Sequence, residues 1–233
     1  MSHLPKLDVL DADGAIGDAA EAAGLDRGDF IKKGVLAGGG LLAGGALFGP
    51  LLSSAEAKIS RRQSVRNDVR ILNYALTLEF LEAAFYKQAL RNKAFGSSPQ
   101  LKRFNEVVLA HEKTHVAFLK DVLGRKAIKS PMFNFMDAVT DPAKFAATAQ
   151  ALEDTGVKAY LGQVANIKQR AVLKAAGTIA TVEARHAAWI RFLNHPAGAT
   201  TAWGDLPAPR DFDKARSERT ILRTVGETGF IVD

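Results

Sequence analysis

The sequence carries the same short set of ionisable residues twice, each time on two consecutive helical segments. In each copy a single Glu precedes a Glu-x-x-His motif, by 33 residues in the first copy and by 30 in the second. The six residues are Glu79, Glu112, His115, Glu153, Glu183 and His186. In both copies the single Glu is followed seven residues later by a tyrosine, Tyr86 or Tyr160. The pattern therefore indicates one helical hairpin used twice.

The region between residues 61 and 194 has helical apolar spacing almost throughout. We predict four helices over about 65–93, 99–123, 142–161 and 169–193. Ser98-Pro99 and Asp141-Pro142 supply an N-cap and a first-turn proline for the second and third helices, and we expect Gly96 to end the first. Residues 125–140 form a longer connection. The predicted fold is all-α: an antiparallel four-helix bundle with one long crossover.

The repeated ionisable residues interrupt the apolar face of each helix at the same level. A lone buried carboxylate costs several kcal/mol or more, so buried Glu is usually paired or coordinates a metal. Residues three apart on a helix point the same way, so each Glu-x-x-His motif offers one carboxylate and one imidazole to the interior. A common cause acting on all four helices is therefore needed.

Two metal ions would be such a cause. The alternative is a degenerate bundle that keeps the carboxylates as a hydrogen-bonded or salt-bridged network. The six side chains provide four carboxylates, whose charges two divalent cations cancel, and two imidazoles. The chain has no cysteine, which excludes thiolate metal sites and disulfides. Oxygen-rich ligands with one imidazole per metal suit iron or manganese better than copper. The sequence therefore predicts two iron or manganese ions, which could react with O2 or peroxide.

Two stretches resemble a known family: NDVRILNYALTLEFLEAAFYKQAL (67–90) and ALEDTGVKAYLGQ (151–163). They are similar to the ferritin-like superfamily, and more closely to its ferritin-like-domain family, which includes plant desiccation-related proteins and many bacterial exported proteins. The resemblance covers about residues 62–194 and extends to the tail motif at 212–231. It implies that Glu112 and Glu183 bridge the metals, that Glu79 and Glu153 are terminal ligands, and that His115 and His186 each take one metal.

The function we predict is oxidative chemistry on ferrous iron, O2 or peroxide, in stress protection. The alternative is a non-catalytic exported stress or envelope scaffold protein with a vestigial metal site. A third hypothesis arises because residues 111–115 spell H-E-x-x-H, the signature of zinc hydrolases. Against it, the repeat carries Val182 at the position of His111, and four of the six repeated residues stay unexplained. His111 is then expected to support the site or to lie at the surface.

Three further residues accompany the predicted site. We expect Tyr86 and Tyr160 to pack in the core with hydrogen-bonded hydroxyls. Glu82 lies one turn after Glu79 and is an alternative ligand, but we expect it to have a supporting or solvated role, because the third helix carries Gly156 at the matching position.

Residues 1–57 differ from the rest and predict a leader. The basic stretch RGDFIKKG at 27–34 precedes an uncharged run at 34–55 and the small residues Ala55 and Ala57, which is a signal-peptide pattern. It resembles a twin-arginine export signal, although Gly28 stands where the second arginine is expected. We expect export to the periplasm, cell envelope or exterior, or membrane anchoring through residues 34–55. The alternative is a glycine-rich arm that packs on a partner.

The sequence thus divides into a leader (1–57), a bundle (58–195) and a C-terminal extension (196–233). In the extension, a short helix near 217–225, capped by Ser217, would present apolar residues to the bundle or to a partner. The net charge of +6 is dispersed and forms no dense basic stripe, so nucleic acid is not an expected partner. A homo-oligomer is compatible with the sequence.

Overall fold

The computed structural model describes residues 58–196 and 203–232, so the predicted leader lies outside the described residues. The described elements are α1 Val65–Asn92, α2 Pro99–Leu123, β1 Met132–Phe133, α3 Pro142–Leu161, α4 Arg170–Asn194, α5 Glu218–Glu227 and β2 Ile231–Val232. This architecture confirms the predicted all-α class. The two strands, each two residues long, were not predicted.

The bundle consists of two helical hairpins. α1 packs mainly on α2 and α3 mainly on α4, and the hairpins meet where α1 faces α3 and α2 faces α4. Two side-chain pairs, Tyr86 with Glu153 and Tyr160 with Glu79, show that α1 and α3 run in opposite directions. Residues 124–141 connect α2 to α3 and form the predicted crossover.

Local sequence signals fix where the helices begin. Ser98, Asp141 and Ser217 lie at the N-caps of α2, α3 and α5, and the side chain of each accepts a hydrogen bond from the backbone N–H three residues later. Each such cap contributes about 1 kcal/mol. The bounds of the four bundle helices consequently lie within a residue or two of the prediction.

α1 ends close to the predicted residue, but the residue at its C-cap is not the predicted glycine. Lys93, and not a glycine, occupies the left-handed C-cap position with φ 55°, and its N–H is bonded to the carbonyls of Ala89 and Leu90. Gly96 also has a positive φ, of 55°, but it lies in the turn that follows. The helix therefore ends one residue before Lys93.

Apolar side chains form two clusters on either side of the middle of the bundle. The first contains a group of fully or nearly fully buried aromatic residues, Phe85, Tyr86, Phe104, Phe135 and Phe145. The second is largely aliphatic and contains Leu72, Leu76, Leu119, Leu123 and Ile179. Each large buried side chain contributes about 1.5–3 kcal/mol. On α2 and α4, the predicted ligands lie between the residues that join one cluster and those that join the other.

The N-terminus of α4 is held by a residue from α1. Asp68 is fully buried, and its carboxylate accepts hydrogen bonds from the backbone N–H groups of Lys168 and Gln169, at 2.9 and 3.0 Å. An acidic group at this end also interacts favourably with the helix dipole. Asp68 thereby fixes the position of α4, and with it the Glu-x-x-His motif that α4 carries.

The C-terminal extension folds back onto the bundle. Ile221, Val225 and Phe230 are buried in the aromatic cluster, and β2 pairs with β1 of the crossover, with Phe133 opposite Ile231. The described part of the extension therefore covers the bundle with Ile221, Val225 and Phe230, whereas Phe212 is exposed. The sequence alone was also compatible with packing of the extension on a partner instead of on the bundle.

The extension also makes a close backbone contact at Gly162, the C-cap of α3. A Cβ atom at this position would lie 1.8 Å from the carbonyl oxygen of Arg216, next to the hydrogen bond from Arg216 N to Lys158 O. We expect Gly162→Ala to lower the free energy of unfolding by about 1–3 kcal/mol, because the extension and the end of α3 must move apart to make room for the methyl group. The measurement is urea unfolding.

Gly177→Ala is the matched control for that experiment. Gly177 lies exposed within α4, and a Cβ there would meet nothing within 4 Å. This variant should gain up to about 1 kcal/mol from helix propensity. Equal effects of the two substitutions would contradict the proposed contact between the extension and α3.

Candidate metal centre

All six predicted ligands come together in the middle of the bundle. α1 supplies Glu79 and α3 supplies Glu153, whereas α2 and α4 each supply one Glu-x-x-His motif. The four carboxylates are fully buried, and His115 and His186 are 8% and 2% exposed. The structure thus places these residues together, and their role as ligands stays a prediction.

The first group of ligand atoms surrounds the Nδ1 atom of His115. Glu79 Oε2 and Glu112 Oε2 each lie 3.1 Å from this nitrogen, and Glu183 Oε1 lies 3.2 Å from it. One imidazole nitrogen carries at most one proton, so three carboxylate oxygens exceed what it can satisfy by hydrogen bonding. Oxygen and nitrogen donors that converge from three helices in this way are typical of a metal site.

The second group surrounds the Nδ1 atom of His186. Glu112 Oε1 and Glu153 Oε2 each lie 3.2 Å from this nitrogen. Together with an oxygen of Glu183, these ligand atoms lie within 4.8 Å of one another, as do the four of the first group. Each group therefore offers three carboxylates and one imidazole.

Glu112 and Glu183 belong to both groups. Glu112 directs Oε2 towards His115 and Oε1 towards His186. A carboxylate that offers one oxygen to each of two neighbouring positions has the geometry of a bridging ligand. Glu79 and Glu153, in contrast, each belong to a single group, as terminal ligands would.

Three buried carboxylate oxygens support the metal interpretation. Within the described part of the chain, Glu112 Oε1 and both oxygens of Glu183 make no hydrogen bond. Histidine nitrogens lie at 3.2 Å from Glu112 Oε1 and Glu183 Oε1, but without hydrogen-bond geometry. Leaving a buried charged group unsatisfied is costly, whereas a cation would satisfy all three oxygens. The residues present therefore fit two divalent metal ions.

Two tyrosines link the hairpins at the site. The Tyr86 hydroxyl of α1 donates to Glu153 Oε1 of α3, and the Tyr160 hydroxyl of α3 donates to Glu79 Oε1 of α1 at 2.5 Å. Each tyrosine thus bonds the glutamate of the other hairpin and leaves the second oxygen of that glutamate facing a histidine. The predicted hydrogen bonding of both hydroxyls is confirmed, but their crossed partners were not predicted.

Glu82 lies at the same site and breaks the repeat. It is 3% exposed, so the solvated role that we had considered for it is wrong. Its repeat position is Gly156, where a Cβ atom would lie 3.0 Å from Glu183 Oε2 and 3.3 Å from Glu82 Oε1. Gly156 therefore provides the space that these two carboxyl groups occupy. Burial and then repulsion from Glu183 raise the pKa of Glu82 well above its usual range.

Without metal ions, the buried cluster favours bound protons. Burial raises the pKa of Glu183 well above its usual range and that of Glu79 to about 7. Burial alone would lower the pKa of His186, but Glu153 and Glu112 outweigh this effect and raise it to about 10. In the same way, Glu79 and its neighbours raise the pKa of His115. Both imidazoles therefore hold their protons more strongly than usual, and a metal ion has to displace a proton from each.

We accordingly expect metal binding to release protons. Because competition by protons weakens as pH rises, the affinity for Mn²⁺ should increase between pH 6 and 8, by up to about ten-fold per pH unit for each proton released. Competition titration with a chelator measures the affinity, and calorimetry in buffers of different ionisation enthalpy counts the protons. An affinity that does not change with pH would contradict the cluster as the metal site.

The H-E-x-x-H hypothesis receives no support from this geometry. His111 Nδ1 lies 2.8 Å from His186 Nε2, whereas the four-residue groups found in the described chain contain His115 without His111. The two histidines of the motif therefore do not share a metal-binding position. His111 is exposed and contacts His186 from outside the cluster, so it both lies at the surface and supports the site, the two roles expected for it.

An antiparallel four-helix bundle with glutamates and two Glu-x-x-His motifs at its centre defines a ferritin-like protein. The family model for the ferritin-like domain matches residues 67–195, and the chain belongs to this family. No curated protein matches the chain significantly. Among the helices of residues 58–196 and 203–232, none is long and apolar enough to cross a membrane.

Proposed function

We propose that the protein binds two iron or manganese ions and uses them in oxidative chemistry on ferrous iron, O2 or peroxide, in protection against stress. The observation that supports this proposal best is the sharing of Glu112 and Glu183 between two groups of ligand atoms. A salt-bridged network would need as many hydrogen-bond donors as acceptors, whereas this cluster has an excess of carboxylate oxygens.

The ligand assignment follows the two groups. One ion would be held by Glu79 and His115, the other by Glu153 and His186, with Glu112 and Glu183 as bridges. Two redox-active ions held in this way would exchange electrons with a small oxidant. In this assignment every one of the repeated residues has a role.

The remaining residues of the site hold the ligands and exclude water. Tyr86 and Tyr160 each fix one oxygen of a terminal carboxylate by a hydrogen bond, so the other oxygen is directed towards the site. The apolar clusters on either side separate the centre from bulk solvent. A buried centre of this kind admits only small reactants, such as O2, peroxide or a ferrous ion.

The test is a rate measurement on metal-loaded protein. The wild type should consume hydrogen peroxide or oxidise ferrous iron faster than Glu112→Ala, which removes a shared ligand. Glu106→Ala is the matched control, because Glu106 lies on the same helix and forms an ion pair with Lys102 at 3.7 Å at the surface. Equal rates for the wild type and Glu112→Ala would overturn the oxidative function and favour the non-catalytic scaffold.

We further propose that the protein is exported or anchored and is related to the desiccation-related branch of its family. The signal-like pattern of residues 27–57 and the resemblance of residues 67–90 support this proposal. Ile59, two residues after the predicted leader, is bonded to the C-terminal extension: its backbone N–H donates to Glu218 Oε2 at 2.9 Å. N-terminal sequencing of cell fractions tests it. A full-length chain confined to the cytosol would contradict export.

A further inference from the structure

His111 supports only one of the two histidines of the cluster. The Nδ1 atom of His186 faces Glu112 and Glu153, and its Nε2 atom lies 2.8 Å from His111 Nδ1. The two rings lie nearly in one plane and meet edge to edge at this hydrogen bond, with centroids 5.1 Å apart and an angle of 14° between their planes. The orientation of the His186 ring is therefore fixed on both sides.

The direction of this hydrogen bond follows from metal binding. A ligating imidazole is neutral, so a metal ion at Nδ1 of His186 requires the proton to be at Nε2. Nε2–H must then donate to Nδ1 of His111, whose own proton is at Nε2. Because His111 is exposed, water can accept from that second N–H. The pair is thus fully hydrogen-bonded only when His111 accepts.

The other half of the repeat lacks this partner. The residue that precedes Glu112 is His111, and the residue that precedes Glu183 is Val182. An aliphatic side chain cannot accept a hydrogen bond, so α4 offers His115 no counterpart at this position. The two halves of the cluster, which repeat in their ligands, therefore differ in what holds their histidines.

We propose that His111 is a positioning residue that makes the metal position at His186 the tighter of the two, so that this position fills first. The inference rests on the proposed two-metal function. A partner that accepts from the distal N–H of a ligating histidine fixes its tautomer and orientation and increases its basicity, and loss of such a partner typically costs about 10–100-fold in metal affinity.

The test is a calorimetric titration of the metal-free protein with Mn²⁺, repeated with Fe²⁺ under anaerobic conditions. The wild type should show two binding steps of different affinity. His111→Val copies the repeat and should weaken the tighter step by about 10–100-fold, leaving the weaker step unchanged. His111→Phe keeps an aromatic ring at this position without an acceptor and should behave in the same way. His111→Asn, whose side-chain oxygen can accept, should restore much of the difference.

Two results would overturn the proposal. One is a pair of unchanged steps in His111→Val. The other is an equal weakening of both steps together with a lower unfolding temperature, which would show that His111 acts only through stability. Failure of the wild type to bind either metal would instead overturn the proposed function itself, so the two failures are distinguishable.

Discussion

Substitution of either shared carboxylate should remove both metal ions, whereas substitution of a terminal one should remove only one. Glu112→Ala and Glu183→Ala each eliminate an oxygen from both groups of ligand atoms, so neither position keeps a complete set. Glu79→Ala and Glu153→Ala each affect a single group, and we expect about one ion per chain to remain. Metal analysis after reconstitution and desalting measures this difference.

The comparison contains its own controls. Glu106→Ala removes a carboxylate from the surface of α2 and should keep the metal content of the wild type. If Glu183→Ala retained as much metal as the wild type, the bridging assignment would be wrong. If Glu79→Ala lost as much metal as Glu183→Ala, the two groups would not be separable positions.

Glu183→Gln should stabilise the metal-free protein and destabilise the metal-loaded one. Burial, followed by repulsion from Glu112 and Glu79, raises the pKa of Glu183. At pH 7 the folded protein must keep this carboxyl protonated, although the unfolded chain would release the proton. The cost is about 1.4 kcal/mol for each pH unit by which the solution lies above the ordinary pKa, and it stops growing at the raised pKa. The amide avoids this cost, so the free energy of unfolding without metal should rise by about 1–3 kcal/mol.

The sign of this effect depends on pH and on metal. The native state binds the proton of Glu183 more tightly than the unfolded state does, so the wild type loses stability as pH rises above the ordinary carboxyl pKa of 4.5. The gain from Gln should therefore vanish near pH 4. With bound metal, loss of a ligand should cost about 4 kcal/mol where the ion exceeds its Kd about 1,000-fold.

Urea unfolding of Glu183→Gln and of the wild type at pH 7, once with a chelator and once with Mn²⁺, measures both the expected gain and the expected loss of stability. Glu106→Gln, a surface carboxyl, should change the free energy of unfolding by less than about 1 kcal/mol under either condition. A Glu183→Gln variant that is less stable than the wild type with and without metal would indicate a structural hydrogen-bonded network instead of a metal site.

The helices could be predicted because their signals are local. Ser98-Pro99 and Asp141-Pro142 start α2 and α3 as expected, since a cap acts on backbone groups only three residues away. Lys93 shows the limit of such signals. A left-handed C-cap favours glycine without requiring it, and here a lysine occupies it.

Contacts between distant segments could not be predicted in the same way. Asp68 holds the start of α4 from about 100 residues away, and nothing in its local sequence distinguishes it from a solvated charge. The pairing of β1 with β2 joins two segments about 100 residues apart, and each strand is too short to show an alternating pattern. These contacts depend on how the elements pack.

The site could be predicted further than the fold around it. The repeat brought all six residues to one level, because helical periodicity and spacing alone determine their height and face. The roles of Glu82 and His111 depended on how the helices are rotated against one another. The sequence did offer one signal for these roles: the repeat carries Gly156 where the first half has Glu82, and Val182 where it has His111. A position at which two similar halves differ indicates that its surroundings differ as well.

Metal analysis by plasma mass spectrometry shows whether the buried cluster binds two metal ions. The protein should be purified without added metal and without a nickel column. We expect about two iron or manganese ions per chain, as purified or after reconstitution. About one zinc ion per chain would instead support the H-E-x-x-H motif as a zinc site. No bound metal, and none taken up on reconstitution, would show that the cluster is not a metal site.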